Sequence, residues 1–357
     1  MPQMPTIRDV AKRAGVSVAT VSRVVNGTAY VSDELQTRVW QAIQELDFSP
    51  SALARSLSTR VSYTIGVCVP NIMKHPFWAQ VVTGVEVVCH REGYNLFLCN
   101  TDSDPERERG YIELLRTRRV DGLIIGSSSD SAAHLRPLLV PNWPVVMVDR
   151  KFLDLQAPAV LVDNYQAALA AMEYLNDLGH RRIGIVAGPR SHTVALDRIR
   201  GYQDALTRHG LPVDQALIRM RSYEDEHARE ATQALLDLPD RPTAIFSCSG
   251  RLAKGILAVL QERHLRIPED ISLLTFDDLD WMSLVTPPLT AIAQPAVEMG
   301  QRAMELLLGI LQGEQPLEAR EVVLRTEFVE RASCGPPPPQ RVPMATEAAS
   351  SKAGGWS

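Results

Sequence analysis

Between Thr6 and Asn26 apolar residues recur at helical spacing and break at Gly15, which predicts two short helices, about Thr6 to Arg13 and Val18 to Val25. Thr6 and Asp9 stand at capping-box spacing, and Val10 with Ala14 supplies the apolar stripe of the first helix. Gly15 fits a left-handed exit from that helix, and Ser17 is a good N-cap for the next. Ala11, Gly15 and Val21 fall where two crossing helices need small or apolar residues, leaving Val18, Ala19, Ser22, Arg23 and Asn26 on the outer side. Such a pair is either a plain helical hairpin or a helix-turn-helix that reads DNA. A third helix from Ser32, with Leu35, Val39, Ile43 and Leu46 on one face, closes a small three-helix core and favours the second reading. Pro50 breaks that helix. Leu53, Ala54 and Leu57 follow at helical spacing after a capping Ser51, with nothing local to bury them, so that short helix needs a partner.

From Tyr63 the pattern changes to short apolar runs alternating with amphipathic helices. Strands are predicted at 65–69, 96–99, 122–125, 145–148, 160–162, 183–186, 244–247 and 272–275. This alternation is the mark of parallel sheets with crossover helices, and eight strands over that length suit two sheets better than one. The fold class is therefore α/β, with an all-α headpiece.

Composition sharpens this picture in three places. Residues 1–60 hold seven Lys/Arg against five Asp/Glu, a net +2, while the rest of the chain is net −7. One mildly basic headpiece would hold DNA weakly, so specificity should come from two copies on two half-sites. Cys68, Cys89, Cys99, Cys248 and Cys334 show no metal or redox spacing, and the first four lie in apolar runs, as buried thiols of a reducing cytoplasm would. No apolar run reaches 18 residues and no signal peptide is evident, which argues against membrane insertion and export and for a cytoplasmic protein. GxSxG, HExxH, Walker and Rossmann glycine motifs are all missing, so neither a catalytic site nor a metal or cofactor site is expected, although a Ser/His/Asp site drawn from distant residues would leave no such trace. The segment from residue 333 to the end is rich in Pro, Ala, Ser and Gly and reads as a disordered tail without a leucine heptad.

The strings DVAKRAGVSVATVSRVVNG and PSALARSL resemble the headpiece and hinge helix of the LacI/GalR family of bacterial transcriptional repressors. YIELLRTRRVDGLII, LNDLGHRRIGIVAGP, RIRGYQDAL, RPTAIFSCSG, IPEDISLLTFDDLDW and TPPLTAIAQPAVEMGQRAMELLL extend the likeness to about residue 332. The resemblance implies a headpiece over 1–50, a hinge helix and linker over 51–61, and a two-lobed core over 62–332 like a type I periplasmic binding protein. Its first lobe would take 62–163 and 293–322, its second 164–292 and 323–332. It implies that Thr6, Ser17, Val18, Ala19, Thr20, Ser22, Arg23 and Asn26 enter or flank the major groove, with Arg23 on a base and the hydroxyls on phosphates. Leu57 would wedge into the minor groove with Ala54 beside it, one hinge helix from each subunit of a homodimer on a double-stranded operator.

For the lobes, the resemblance implies a small-molecule effector in a cleft at the carboxyl ends of the strands. Arg198 would grip its polar groups, although a solvated charge is the ordinary state of such an arginine. Asp277 would accept from ligand hydroxyls, or else stand as a loop aspartate. Phe77 and Trp78 are cleft aromatics or plain core; Phe246 is a stacking ring or, by preference, buried packing; Arg150 faces the cleft or pairs with Asp149. Trp281 covers the ligand or is a dimer-contact or surface tryptophan. Most of the family carries Asn-Asp where this chain has Ser249 and Gly250, which removes a carboxylate and suits an anionic ligand. That change, with TFDDLDW and NTDSDPERERGYIELL, resembles the branch that senses 2-keto-3-deoxygluconate or 2-ketogluconate, so a sugar acid is the expected effector. A repressor answering to a protein partner or co-repressor is the nearest alternative, and a periplasmic sugar receptor a more distant one, since it would have a signal peptide and no headpiece.

Overall fold

A computed structural model describes residues 5–26, 29–48, 61–129, 131–139, 143–314 and 320–339. The expected hinge helix, with Ala54 and Leu57, lies outside the described residues. The headpiece is three helices, α1 (Ile7–Ala14), α2 (Val18–Asn26) and α3 (Asp33–Glu45). They close on Val10, Ala11, Ala14, Val21, Val39, Ala42 and Ile43, the stripe that the spacing predicts. Asp9 reaches back to the Thr6 amide at 2.8 Å as a capping box requires, but the Thr6 hydroxyl donates to Asp9 (2.7 Å) instead of accepting from the helix. Gly15 adopts φ 66°, and a side chain there would also press within 2.7 Å of the Arg38 guanidinium, which donates to the Ala14 carbonyl at 2.6 Å.

The chain divides into two compact units. One comprises residues 1–72, 80–160 and 297–321; the other comprises 73–79, 161–296 and 322–357. The second unit thus takes residues 73–79, which lie between two stretches of the first. The first unit has strands β1 (Thr64–Val69), β2 (Asn95–Asn100), β3 (Gly122–Ile125), β4 (Val145–Val148) and β5 (Ala159–Val162), with β11 (Glu321–Leu324) at the edge; the order is β11-β5-β4-β3-β1-β2. Its helices include α4 (Pro76–Arg91), α5 (Pro105–Thr117) and α10 (Ala296–Leu311). Helices α4 and α10 meet through Gly84 and Gly300: a Cβ on either would come within 2.0 Å of a carbonyl oxygen of the other helix, Val297 or Val81, so only glycine permits that approach.

The second unit repeats the plan with β6 (Ile183–Ala187), β7 (Ile218–Met220), β8 (Ala244–Ser247), β9 (Ser272–Phe276), β10 (Thr290–Ala293) and β12 (Glu327–Val329), ordered β12-β10-β9-β8-β6-β7. Its helices are α6 (Asn164–Asp177), α7 (Thr193–Arg208), α8 (Asp225–Leu236) and α9 (Gly250–Glu262). Strands β6 to β10 pair in parallel, and only β12 runs antiparallel. All eight predicted strands are present, and the sheets are fully buried at their centres, as continuous apolar runs require.

One boundary needs correction. The disordered tail expected from 333 starts later, because Ser333 and Gly335 complete the sheet. The Ser333 hydroxyl accepts from the Thr290 amide (2.8 Å) and donates to the Leu273 carbonyl (2.6 Å). Fully buried His180 lies 2.9 Å from the Gly335 carbonyl through Nε2, and burial holds its pKa below the usual histidine value. Buried backbone groups of β9 and β10 take these partners instead of water. The remainder of the expected tail, from 340, lies outside the described residues.

Candidate functional site

In the headpiece, α2 presents Ser17, Val18, Ala19 and Arg23 exposed and Thr20 and Ser22 half-buried, while Val21 on its inner side is buried. The Ser17 hydroxyl accepts from the Thr20 amide at 3.0 Å and contacts its hydroxyl at 2.8 Å, which fixes the start of α2. Thr6 caps α1 at the surface. Val18, although apolar, is 43% exposed, as a residue that meets a partner would be. Asn26 ends α2.

The second candidate lies in the second unit. Its order, β7-β6-β8-β9-β10, reverses direction between β6 and β8, and a crevice forms beyond the carboxyl ends at such a switch point. The chain places Arg198, Ser249 and Asp277 there. Arg198, on α7, is 4% exposed. Its Nε donates to Asn164 Oδ1 at 2.8 Å, one terminal nitrogen donates to the Cys248 carbonyl at 2.6 Å, and the guanidinium stacks 3.4 Å from the centre of the Phe276 ring. A planar donor fork clamped on three sides keeps one orientation without a ligand. The solvated-charge alternative for Arg198 therefore fails.

Asp277 follows β9 in the left-handed region at φ 69° and is 3% exposed. Oδ2 accepts from the Gly250 amide (2.9 Å) and the Ser249 hydroxyl (3.3 Å), and Oδ1 accepts from the Gln294 amide (2.6 Å). His75 Nε2 stands 3.7 Å from Oδ2 and 3.5 Å from the Ser249 hydroxyl. Burial alone would raise this carboxyl, but His75, Arg198, the Gly250 amide and Gln294 together hold it below the usual carboxylate range. The Ser249-Gly250 pair has a steric reason too: a Cβ at 250 would approach Leu279 Cδ1 to 2.8 Å, so an aspartate would have to displace that side chain.

Other expected residues sit differently. Phe246 takes the buried reading preferred for it: it is fully buried in the core against α6 and α7, because its position on β8 points into the layer instead of past the strand's end. Phe77 and Trp78 are each 4% exposed and pack edge to face at 5.1 Å, which favours the core alternative. Trp281 is half-buried against the α8/α9 cluster, with Lys254 5.6 Å from its ring; its buried Nε1 has no hydrogen-bond partner among the described residues. In the first unit Arg150 follows β4, 7% exposed, with Nε 3.6 Å from Asp149. Sequence reasoning missed His75, Asn164 and Gln294. Each lies at an element boundary where a polar residue reads first as a cap. Cys68, Cys89, Cys99 and Cys248 are buried free thiols, and burial pushes Cys248 up to about 12. Among the described residues no group of three His, Cys, Asp or Glu could hold a metal, and no helix is long and apolar enough to cross a membrane.

Two family models cover most of this chain. Residues 6–51 match the bacterial regulatory proteins of the lacI family, and 62–330 match the periplasmic binding proteins and sugar binding domain of the LacI family. The chain belongs to the LacI family. A repressor named PurR from Vibrio atlanticus is 36% identical over 92% of this chain and 98% of its own length. The ribose operon repressor of Haemophilus influenzae is 37% identical over the same shares, 92% and 98%. Among solved structures, the lac repressor dimer bound to operator and the anti-inducer ONPF has TM-score 0.82 and 27% identity over 93% of this chain and 100% of that one. As a LacI-family member the protein is a DNA-binding repressor with an effector-binding domain, and the relatives it matches are transcriptional repressors and not enzymes.

Proposed function

We propose that this LacI-family repressor binds a palindromic operator as a homodimer through α2, and that a sugar acid at the carboxyl end of the second unit's sheet releases it. The observation that supports this most is Arg198, a buried guanidinium in one fixed orientation beside a crevice whose 249–250 pair carries no carboxylate. Release follows from linkage: a ligand that binds the non-operator form better weakens operator binding by the factor that operator weakens ligand binding. Phe77, Trp78, Ser249, Asp277 and Trp281 remain proposed to line or brace the site, and Arg150 stays a proposed ligand contact from the first unit. A neutral sugar is the second reading, since a relative of this length is a ribose operon repressor.

Thermal-shift titration separates the two. Stabilisation by 2-ketogluconate or 2-keto-3-deoxygluconate, but not by ribose or purines, is expected; stabilisation only by ribose or a purine contradicts the sugar-acid reading. For the DNA end, Arg23→Ala should weaken operator retention by about 1–3 kcal/mol and leave the ligand-induced thermal shift unchanged.

A further inference from the structure

His75 lies in the short segment, residues 73–79, that is flanked on both sides by chain of the first unit yet packs with the second. Its ring meets Phe77 edge to face at 5.7 Å and points Nε2 at Ser249 and Asp277. It therefore stands at the 249–250 position, where the chain has lost the family's carboxylate. Without His75 the two buried charges of the site, Arg198 and Asp277, cancel. A protonated His75 leaves the site net positive, and its side chain keeps 17% of its surface exposed, so a ligand can reach it. The other charges nearby are already engaged: Lys74 lies 3.8 Å from Glu224, whose other oxygen accepts from Arg251 of α9 at 2.9 Å.

We propose that His75 is a specificity-determining residue of the effector site, whose protonation selects a carboxylate-bearing ligand and makes its capture pH-dependent. This rests on the sugar-acid reading above. Asp277 favours the imidazolium in the empty site, and a bound carboxylate favours it further. Linkage then fixes the sign: the affinity for an anion is full at acid pH and falls as pH rises through the titration of the empty site's histidine. If the ligand carboxylate adds one unit to that titration, affinity drops about tenfold overall. A neutral sugar makes no such demand.

The test is calorimetric titration of the full chain with 2-ketogluconate and with ribose at pH 6 and pH 8, for the wild type and His75→Asn. Asparagine is well tolerated at a helix start and removes the charge. The expected result is an approximately tenfold weaker 2-ketogluconate affinity at pH 8 in the wild type, with no pH dependence in His75→Asn. Equal affinities at both pH values in the wild type, or the same loss in His75→Asn, overturns the proposal. An NMR titration of the His75 ring needs no ligand: its midpoint should fall in Asp277→Asn, and an unchanged midpoint also overturns it. Binding of ribose alone overturns the sugar-acid reading, while the ring titration still decides the pairing of His75 with Asp277.

Discussion

Both units follow one strand order, and both turn the chain at an aspartate in the left-handed region directly after the fourth strand: Asp149 at φ 67° after β4 and Asp277 at φ 69° after β9. That conformation costs a non-glycine residue about 1–3 kcal/mol, and aspartate is among the side chains that tolerate it. What surrounds the two carboxylates differs. Asp149 has its neighbour Arg150 at 3.6 Å, whereas Asp277 is held from α9, from the chain leaving β10 and from the 73–79 segment. The first unit's fully buried acid is instead Glu108 on α5, 3.2 Å from His134 and 3.3 Å from the Ser128 amide. Burial raises Glu108 above the usual carboxyl range against the pull of His134 and Ser128, while the cations around Asp277 win and lower it. A repeated topology thus recurs with different residues delivered to it, and those residues decide in which direction a buried acid's pKa moves.

Three substitutions break or sharpen this contrast. Asp277→Ala should have the largest effect, about 3–5 kcal/mol in denaturant unfolding, because it leaves the Gly250 amide, Gln294 and buried Arg198 uncompensated. Arg198→Ala should cost about 2–3 kcal/mol by stranding the Cys248 carbonyl and Asn164, and should abolish any anion-induced thermal shift. Glu108→Gln should stay within about 1 kcal/mol at neutral pH, since the amide oxygen can take the place of Oε2 and accept from the Ser128 amide and the His134 ring. A loss at Glu108 as large as that at Asp277 would erase the distinction between the units.

The pH slopes of the two acids should oppose each other. A carboxyl lowered in the folded state contributes stability above its ordinary pKa near 4 and loses it as pH falls through the folded value. One raised in the folded state carries a penalty that sets in as pH rises from the ordinary value toward the folded one. Scanning thermal unfolding from pH 3 to 8, the wild type's advantage over Asp277→Asn should therefore grow with pH, and its advantage over Glu108→Gln should shrink.

Much of this was legible in the chain. Seven of the eight predicted strands are buried on both faces and so read as plain apolar runs, while β2, at its sheet edge, is apolar in sequence but exposed at Phe97 and Leu98; Gly15, Ser17 and Val21 set the headpiece by local chemistry. Four strands among the described residues were missed: β10 is buried inside its sheet, and the other three are short or at an edge. β7 has three residues, and β11 and β12 hold only exposed and half-buried positions, with a glutamate in each, a pattern that local propensity does not separate from a loop. Arg198, Ser249 and Asp277 were legible because motifs surround them. His75 was not, because its partners come from strands far along the chain and its local signal, a polar residue before Pro76, is that of a helix start. Phe246 takes its preferred reading, because a ring near a strand end points to ligand or to core according to alternation, and here alternation sends it inward.

The central claim is that the Arg198 crevice controls the grip of α2. Operator retention at fixed salt, titrated with 2-ketogluconate for the wild type and Arg198→Ala, tests it most directly. The account predicts equal operator affinity without ligand, progressive release of the wild type, and retention of Arg198→Ala at every ligand concentration. Release of both proteins at the same ligand concentration, or of neither, would contradict it.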